Sequence, residues 1–291
     1  MRTLTLAIAL FATAVFAAPP QNPDEMLGAA KVAIHQNDGE RAAELLEKAI
    51  AARPNSAELH YRLSQAYAEI ADGAGPFKGM SMARKVLAAL KRAVELDPNY
   101  MEARYDLASF YAMAPGLVGG NEEKALQQAA EVKRRDSFQG HRVYGRVYTA
   151  QKKLDLARAE YVNAVREELN SARAHTALAT FLSSQDRNHR SAFDEIEKAI
   201  QLDPGYMPAW YRLGDVAVRS GSNYARGEEG LKKYLAYEPK DGEPQLADAH
   251  YQLGQIYEKQ GRKADARQSY ETSLRLRPNK KSVQGALKRV S

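Results

Sequence analysis

The sequence predicts an all-helical array of stacked helix pairs. Three observations predict it. Small residues return at fixed steps along the chain, apolar residues within each unit recur every three or four positions, and a proline closes most units. The clearest unit is HYQLGQIYEKQGRKADARQSYETSLRLRP, residues 250–278, with Gly254, Ala266 and Ser273 as small positions and Pro278 as the close.

The first small position, Gly254, is matched by Ala30, Ser64, Ala108, Gly145, Ala179 and Gly214. The second, Ala266, is matched by Ala42, Val86, Ala125, Ala157, Ala192 and Gly227. The third, Ser273, is matched by Ala49, Ala93, Val132, Ala164, Ala199 and Tyr234. Pro278 is matched by Pro54, Pro98, Pro204 and Pro239, with Ser137 and Leu169 in the other two units. The repeat length is about 34 residues. Two amphipathic runs per unit mean two helices, which approach closely only where a small side chain lies between them. Large residues such as Tyr257 and Tyr270 fill the remaining space. One such hairpin cannot bury its apolar face alone, whereas a stack can.

These residues carry a resemblance. Leu253-Gly254, Tyr257, Ala266, Tyr270 and Pro278, with Trp210-x-x-Leu213-Gly214 one unit earlier, resemble the tetratricopeptide repeat. The resemblance implies a right-handed α-solenoid of about seven helix pairs across residues 24–279, with residues 280–291 as a C-terminal capping helix. It further implies that the first helix of each pair lines a concave, ligand-holding face.

Departures from the regular step mark insertions. Three units keep twelve positions between the first and second small residues. Unit two adds ten, placed in a glycine-rich loop at 71–82, and unit three adds five, in a loop at 114–123. The stretch KDGEPQL after Pro239 reads as a flexible joint before the last unit.

Ahead of the repeats, Arg2 precedes an apolar run from Leu4 to Phe16, and Val15 and Ala17 stand where a signal peptidase reads small residues. The run is about 13 residues, short of the ~20 a spanning helix needs. Residues 1–17 therefore read as a signal peptide and 18–23 as a linker, with the mature protein expected in the bacterial periplasm. No later segment is apolar enough to span a membrane. The chain carries a formal charge of +6 and has no cysteine. Cysteine chemistry is thereby excluded. The basic balance, in an exported protein, points to acidic peptides, envelope polymers or membrane surfaces as partners rather than to nucleic acid.

No motif for catalysis survives inspection. In GAGPFKGMS the phosphate-loop spacing fails, since Lys78 stands where the second glycine is required. His60, His141, His175 and His250 share one register position, held by Trp210 in unit six, which suits packing between helices. Successive units are spaced too widely for those imidazoles to share one ion at ~2 Å. No metal, cofactor or catalytic residue is expected.

Carrying the concave face across by register places Tyr61, Tyr105, Arg142, Arg146, Arg173, Tyr211, Arg219 and Tyr251 as partner-binding residues. The central patch Arg142, Arg146 and Arg173 suits an acidic segment or a C-terminal carboxylate, because guanidinium forks bind carboxylates at two points. The chaperone-tail clamp known in the family uses lysines and asparagines at places held here by Lys31, Gln65, Ser109, Arg146, Thr180, Asp215 and Gln255. The asparagines are missing, so that use is rejected. The function expected is an exported, non-catalytic scaffold for protein or peptide in the cell envelope. The alternative is a binding module for a small ligand or cell-wall polymer, accessory to a transporter.

Overall fold

The computed structural model describes residues 22–72, 74–240, 242–278 and 280–291. The segment read as signal peptide lies outside the described residues. Seven helix pairs follow one another: α1 (Pro23–His35) with α2 (Gly39–Ala52), α3 (Ala57–Asp72) with α4 (Pro76–Leu96), and α5 (Met101–Met113) with α6 (Glu122–Arg135). Then come α7 (Ser137–Ala150) with α8 (Leu154–Glu167), α9 (Ala172–Ser184) with α10 (His189–Leu202), α11 (Met207–Ser220) with α12 (Tyr224–Leu235), and α13 (Leu246–Lys259) with α14 (Lys263–Leu276). A last helix, α15 (Lys281–Val290), covers α14 with Val283, Ala286 and Val290. No strand occurs among the described residues.

Local chemistry sets the ends. Asn22 caps α1 by accepting from the Asp24 and Glu25 amides, and Asp38, Asn121, Asp136 and Asn188 cap α2, α6, α7 and α10 in the same way. Several turns within pairs pass through one left-handed residue, such as Asn37 (φ 62°) and Gly261 (φ 75°).

The small-residue steps are the helix crossings. All seven first positions are buried, as are all seven second and third positions. At Gly254 a Cβ would lie 2.5 Å from Tyr270 Cε1, and at Gly214 it would lie 2.3 Å from Leu231 Cγ. First helices also touch their counterparts in the next pair, α1 on α3, α5 on α7, α9 on α11 and α11 on α13, while second helices splay apart outside. That asymmetry bends the stack, leaving the first helices on the concave side.

The shared histidine position is a packing device, as expected. His60 Nε2 and Trp210 Nε1 meet the carbonyls of Pro54 and Pro204, each at 3.0 Å, and Arg104 Nε donates to Pro98 O at 2.6 Å. Each ties the start of a pair to the close of the one before, six residues back.

Two expectations about connections, at 71–82 and after Pro239, are corrected. The insertion at 71–82 is mostly helix: α3 runs to Asp72 and α4 starts at Pro76, so the extra residues lengthen α4 at its N-terminus. Pro76 suits the first turn, where its missing N–H costs nothing. Gly79 costs about 1 kcal/mol there, too little to break a helix. The 114–123 segment is an ordered turn with a short 3-10 helix (Gly116–Val118), Val118 being buried. Arg84 Nη2 donates to Leu117 O at 3.3 Å, and the Asn121 amide to Tyr111 O at 2.8 Å. The connection after Pro239 is tied down as well: Tyr234 Oη donates to Pro244 O at 2.5 Å, and the Lys240 amide to Glu243 Oε2 at 2.8 Å.

The two ends of the stack meet. Arg277, at the close of the seventh pair, reaches Asn37 in the first. Beside it, Lys280 and Lys281 share a polar cleft with Asp38, Glu40 and Asp72.

Candidate ligand-binding groove

Inside the curve lies a cavity of about 770 Å³. Helix α5 contributes Tyr105, α7 contributes Arg142 and Arg146, α9 contributes Arg173, and α11 contributes Arg212. The connection before α13 crosses one side with Gly242, Glu243 and Pro244.

The basic groups are held by aromatic rings rather than by acids. The Arg146 guanidinium lies 5.2 Å from the Tyr105 ring centre, and its Nη1 donates to Tyr105 Oη at 3.2 Å. Arg142 stands 5.8 Å from the same ring and 5.7 Å from Phe138. Arg173 lies 5.4 Å from Phe138. The result is an alternating ladder, Arg146, Tyr105, Arg142, Phe138, Arg173. Such contacts orient guanidinium planes without neutralising them. Arg142 also donates to Gln139 Oε1 at 2.7 Å. Among the described residues none of these three arginines is in an ion pair with a carboxylate, unlike Arg212, which lies 3.8 Å from Asp215. Burial, and then the charge of Arg142, push the Arg173 guanidinium below its ordinary value.

The remaining lining is chemically quiet. Thr149, Thr176 and Thr180 donate their hydroxyls to carbonyls of their own helices at 2.7, 2.7 and 2.8 Å. Burial pushes the Tyr161 hydroxyl up to about 12, so it stays protonated. Among the described residues the lining holds neither a histidine nor a paired nucleophile and base. It can bind an anion through charge and stacking. Among the described residues no cluster of metal-ligating side chains occurs, and no helix is long and apolar enough to cross a membrane.

Of the eight residues expected on this face, Tyr105, Arg142, Arg146 and Arg173 come together here. The other four do not. Tyr61 is buried, donates to Asp106 Oδ2 at 3.0 Å and packs edge-on against Tyr100. Tyr211 is buried, and its hydroxyl accepts from Gln252 Nε2 at 2.9 Å. Arg219 is paired with Asp215 at 3.1 Å, and Tyr251 packs on Tyr270. Sequence reasoning missed Arg212, Tyr206 and Glu243. A signal for Arg212 was present: Pro208 and Arg212 stand six and two positions before Gly214, as Arg173 and Ala177 stand before Ala179, and all four line the cavity.

Fold and groove together define a helical repeat scaffold with a basic, aromatic-lined concave surface. Two of its units match the tetratricopeptide repeat profiles, over residues 27–72 and 247–280, so the chain carries tetratricopeptide repeats. No curated protein matches the sequence. Among solved structures, a tetratricopeptide repeat protein from Parabacteroides merdae shares 17% identity at a TM-score of 0.54, over 92% of this chain and 98% of that one. The human IFIT1 dimer with m7Gppp-AAAA shares 18% identity at 0.57, over 93% of this chain and 63% of that one. The APC/C hetero-tetramer Cut9–Hcn1 shares 13% at 0.52, over 92% and 51%. At these identities the likeness is one of fold.

Proposed function

We propose that the protein is an exported, non-catalytic scaffold that holds an acidic segment of a protein or peptide partner in its concave groove. Tetratricopeptide repeats generally serve protein–protein interaction, and the fold supports that coarse reading. The observation carrying the finer one is the ladder of Arg142, Arg146 and Arg173, three converging guanidinium groups that make no ion pair with a carboxylate among the described residues. A carboxylate-bearing segment supplies the missing counter-charge. Export rests on Arg2, the apolar run Leu4–Phe16 and the small residues Val15 and Ala17.

A small anionic ligand or cell-wall polymer is the second reading. The cavity of about 770 Å³ and the strap at 242–244 along one side of it favour that reading.

Cross-linking in intact cells, with mass spectrometry of what is captured, identifies the partner. Titration of that partner against protein carrying Arg142→Ala, Arg146→Ala and Arg173→Ala then tests the site. Affinity falls at least tenfold, about 1.4 kcal/mol, and the wild-type affinity weakens with added salt. Undiminished affinity in the triple variant removes the proposal.

A further inference from the structure

Next to the basic cavity lies a second one, of about 480 Å³, between α3, α4 and α5. Its walls are carbon: Ala68 from α3, Ala83 and Leu90 from α4, and Phe110 from α5, with Pro115 and Val118 from the turn inserted in the third repeat. That turn is held on α4 by the bond from Arg84 to Leu117 O. A third repeat of regular length has no such wall. The slot is therefore a feature of this chain's insertion rather than of the repeat.

The polar groups at the slot are already engaged. Ser64 and Ser109 donate to their own helix at Tyr61 O (2.6 Å) and Tyr105 O (2.9 Å), Gln65 accepts from Arg62 at 3.0 Å, and Asp106 accepts the Tyr61 hydroxyl. What the slot offers a ligand is apolar surface. Two residues line both cavities, Met113 and Arg146. Met113 is 65% exposed, a large apolar side chain left in water at the boundary. An apolar slot and a cationic ladder therefore meet at one guanidinium.

We infer that the groove takes an acidic peptide segment carrying one large aliphatic or aromatic side chain, which enters the slot while neighbouring carboxylates lie across Arg146, Arg142 and Arg173. This inference rests on the reading of the groove as a site for acidic segments. Charge complementarity selects the flanks, and the apolar slot selects the anchor. An extended chain advances about 3.3 Å per residue with side chains alternating. Because one arginine borders both cavities, the nearest acid falls one or two positions from the anchor.

The test is selection of a displayed random peptide library on the mature protein, repeated on Ala68→Trp, Met113→Glu and the Arg142→Ala/Arg173→Ala pair. Ala68 and Met113 are both exposed, so neither change disturbs the core, and circular dichroism checks folding. The expected enrichment is Asp or Glu with Leu, Ile, Met or Phe one or two positions away. Ala68→Trp, which fills the slot, weakens selected peptides about tenfold or more, as much as replacing the anchor by Ser, and leaves the acidic preference. Met113→Glu weakens them likewise. The arginine pair abolishes both preferences. Acidic peptides enriched with no apolar preference, or insensitive to Ala68→Trp, overturn the inference and leave the broader function standing. If no acidic peptide is enriched at all, both fall.

Discussion

Arg277 in the seventh repeat donates from Nη2 to Asn37 Oδ1 in the first at 2.9 Å, joining residues 240 positions apart. Its Nη1 simultaneously holds the Asp248 carboxylate at 3.1 and 3.3 Å, and its side chain is only 14% exposed. A solenoid whose repeats touch only their neighbours gains nothing from its ends. Here the ends are linked, and the groove sits inside a nearly closed turn. Arg277→Ala removes the link and leaves Asp248 unpaired. The expected cost is about 1–3 kcal/mol, the worth of hydrogen bonds to a charged group. Urea unfolding reads that loss, and small-angle scattering reads the accompanying increase in radius of gyration. An unchanged radius would show that the stack keeps its curvature without the contact.

Two glycine substitutions separate packing from propensity. A Cβ on Gly254 would lie 2.5 Å from the ring of Tyr270, which is fully buried and donates to Glu258 Oε2 at 2.6 Å, so it has nowhere to go. Gly254→Ala should destabilise by about 1–3 kcal/mol despite alanine's better helix propensity. At Gly285 in α15 nothing lies within 4 Å of the added carbon. Gly285→Ala should stabilise by up to about 1 kcal/mol. Chemical denaturation midpoints of the two variants should move in opposite directions.

Two histidines, His175 buried and His250 half-buried, should give opposite pH dependences. His175 Nδ1 meets Glu195 Oε2 at 2.6 Å and its Nε2 meets Leu169 O at 3.1 Å, so both ring nitrogens face acceptors. The Glu195 bond raises its pKa. A raised folded value means its stabilisation is complete below about 6.5, the unfolded value, and is lost as pH climbs through the folded one. His175→Gln should therefore cost most at acidic pH and least at alkaline pH. His250 is pushed the other way, by burial and then by Arg275. Its contribution is present above the unfolded value and is lost as pH falls through the folded one, so His250→Gln should cost relatively less in acid. Stability measured from pH 5 to 9 on both variants reads the two slopes, and parallel slopes would contradict the assignment.

Sterics explain what could be read in advance. A helix crossing tolerates only a small side chain, so Ala30, Ala108, Gly214 and the rest declared the stack directly. The groove was half legible. Arg142, Arg146 and Arg173 follow from register, but Tyr61 and Tyr211 stand where an aromatic ring can either line the face or wedge between helices, and packing took both. Arg212 escaped because it stands two positions before Gly214, a place held in the preceding first helix by Ala177, where no charge marks the face. The long α4 was hidden behind Gly75 and Gly79, whose local cost is smaller than the gain from extending a helix already packed. The contact of Arg277 with Asn37 depends on curvature accumulated over seven repeats, which no local pattern encodes.

The arginine ladder should be a site kept at the expense of stability. Arg142 and Arg173 both lean on Phe138, at 5.7 and 5.4 Å, and repel each other. Removing either charge relieves that repulsion and loses one cation–aromatic contact of about 0.5–1 kcal/mol at an accessible site. Arg173→Ala should therefore leave unfolding stability within about 0.5 kcal/mol of wild type or raise it, while weakening the ligand. Arg142→Lys keeps the charge but gives up the planar group that stacks on Tyr105 and Phe138. It should retain stability and lose part of the affinity, which titration of one partner against both variants will measure. A large loss of stability in Arg173→Ala would instead make the ladder part of the structural frame.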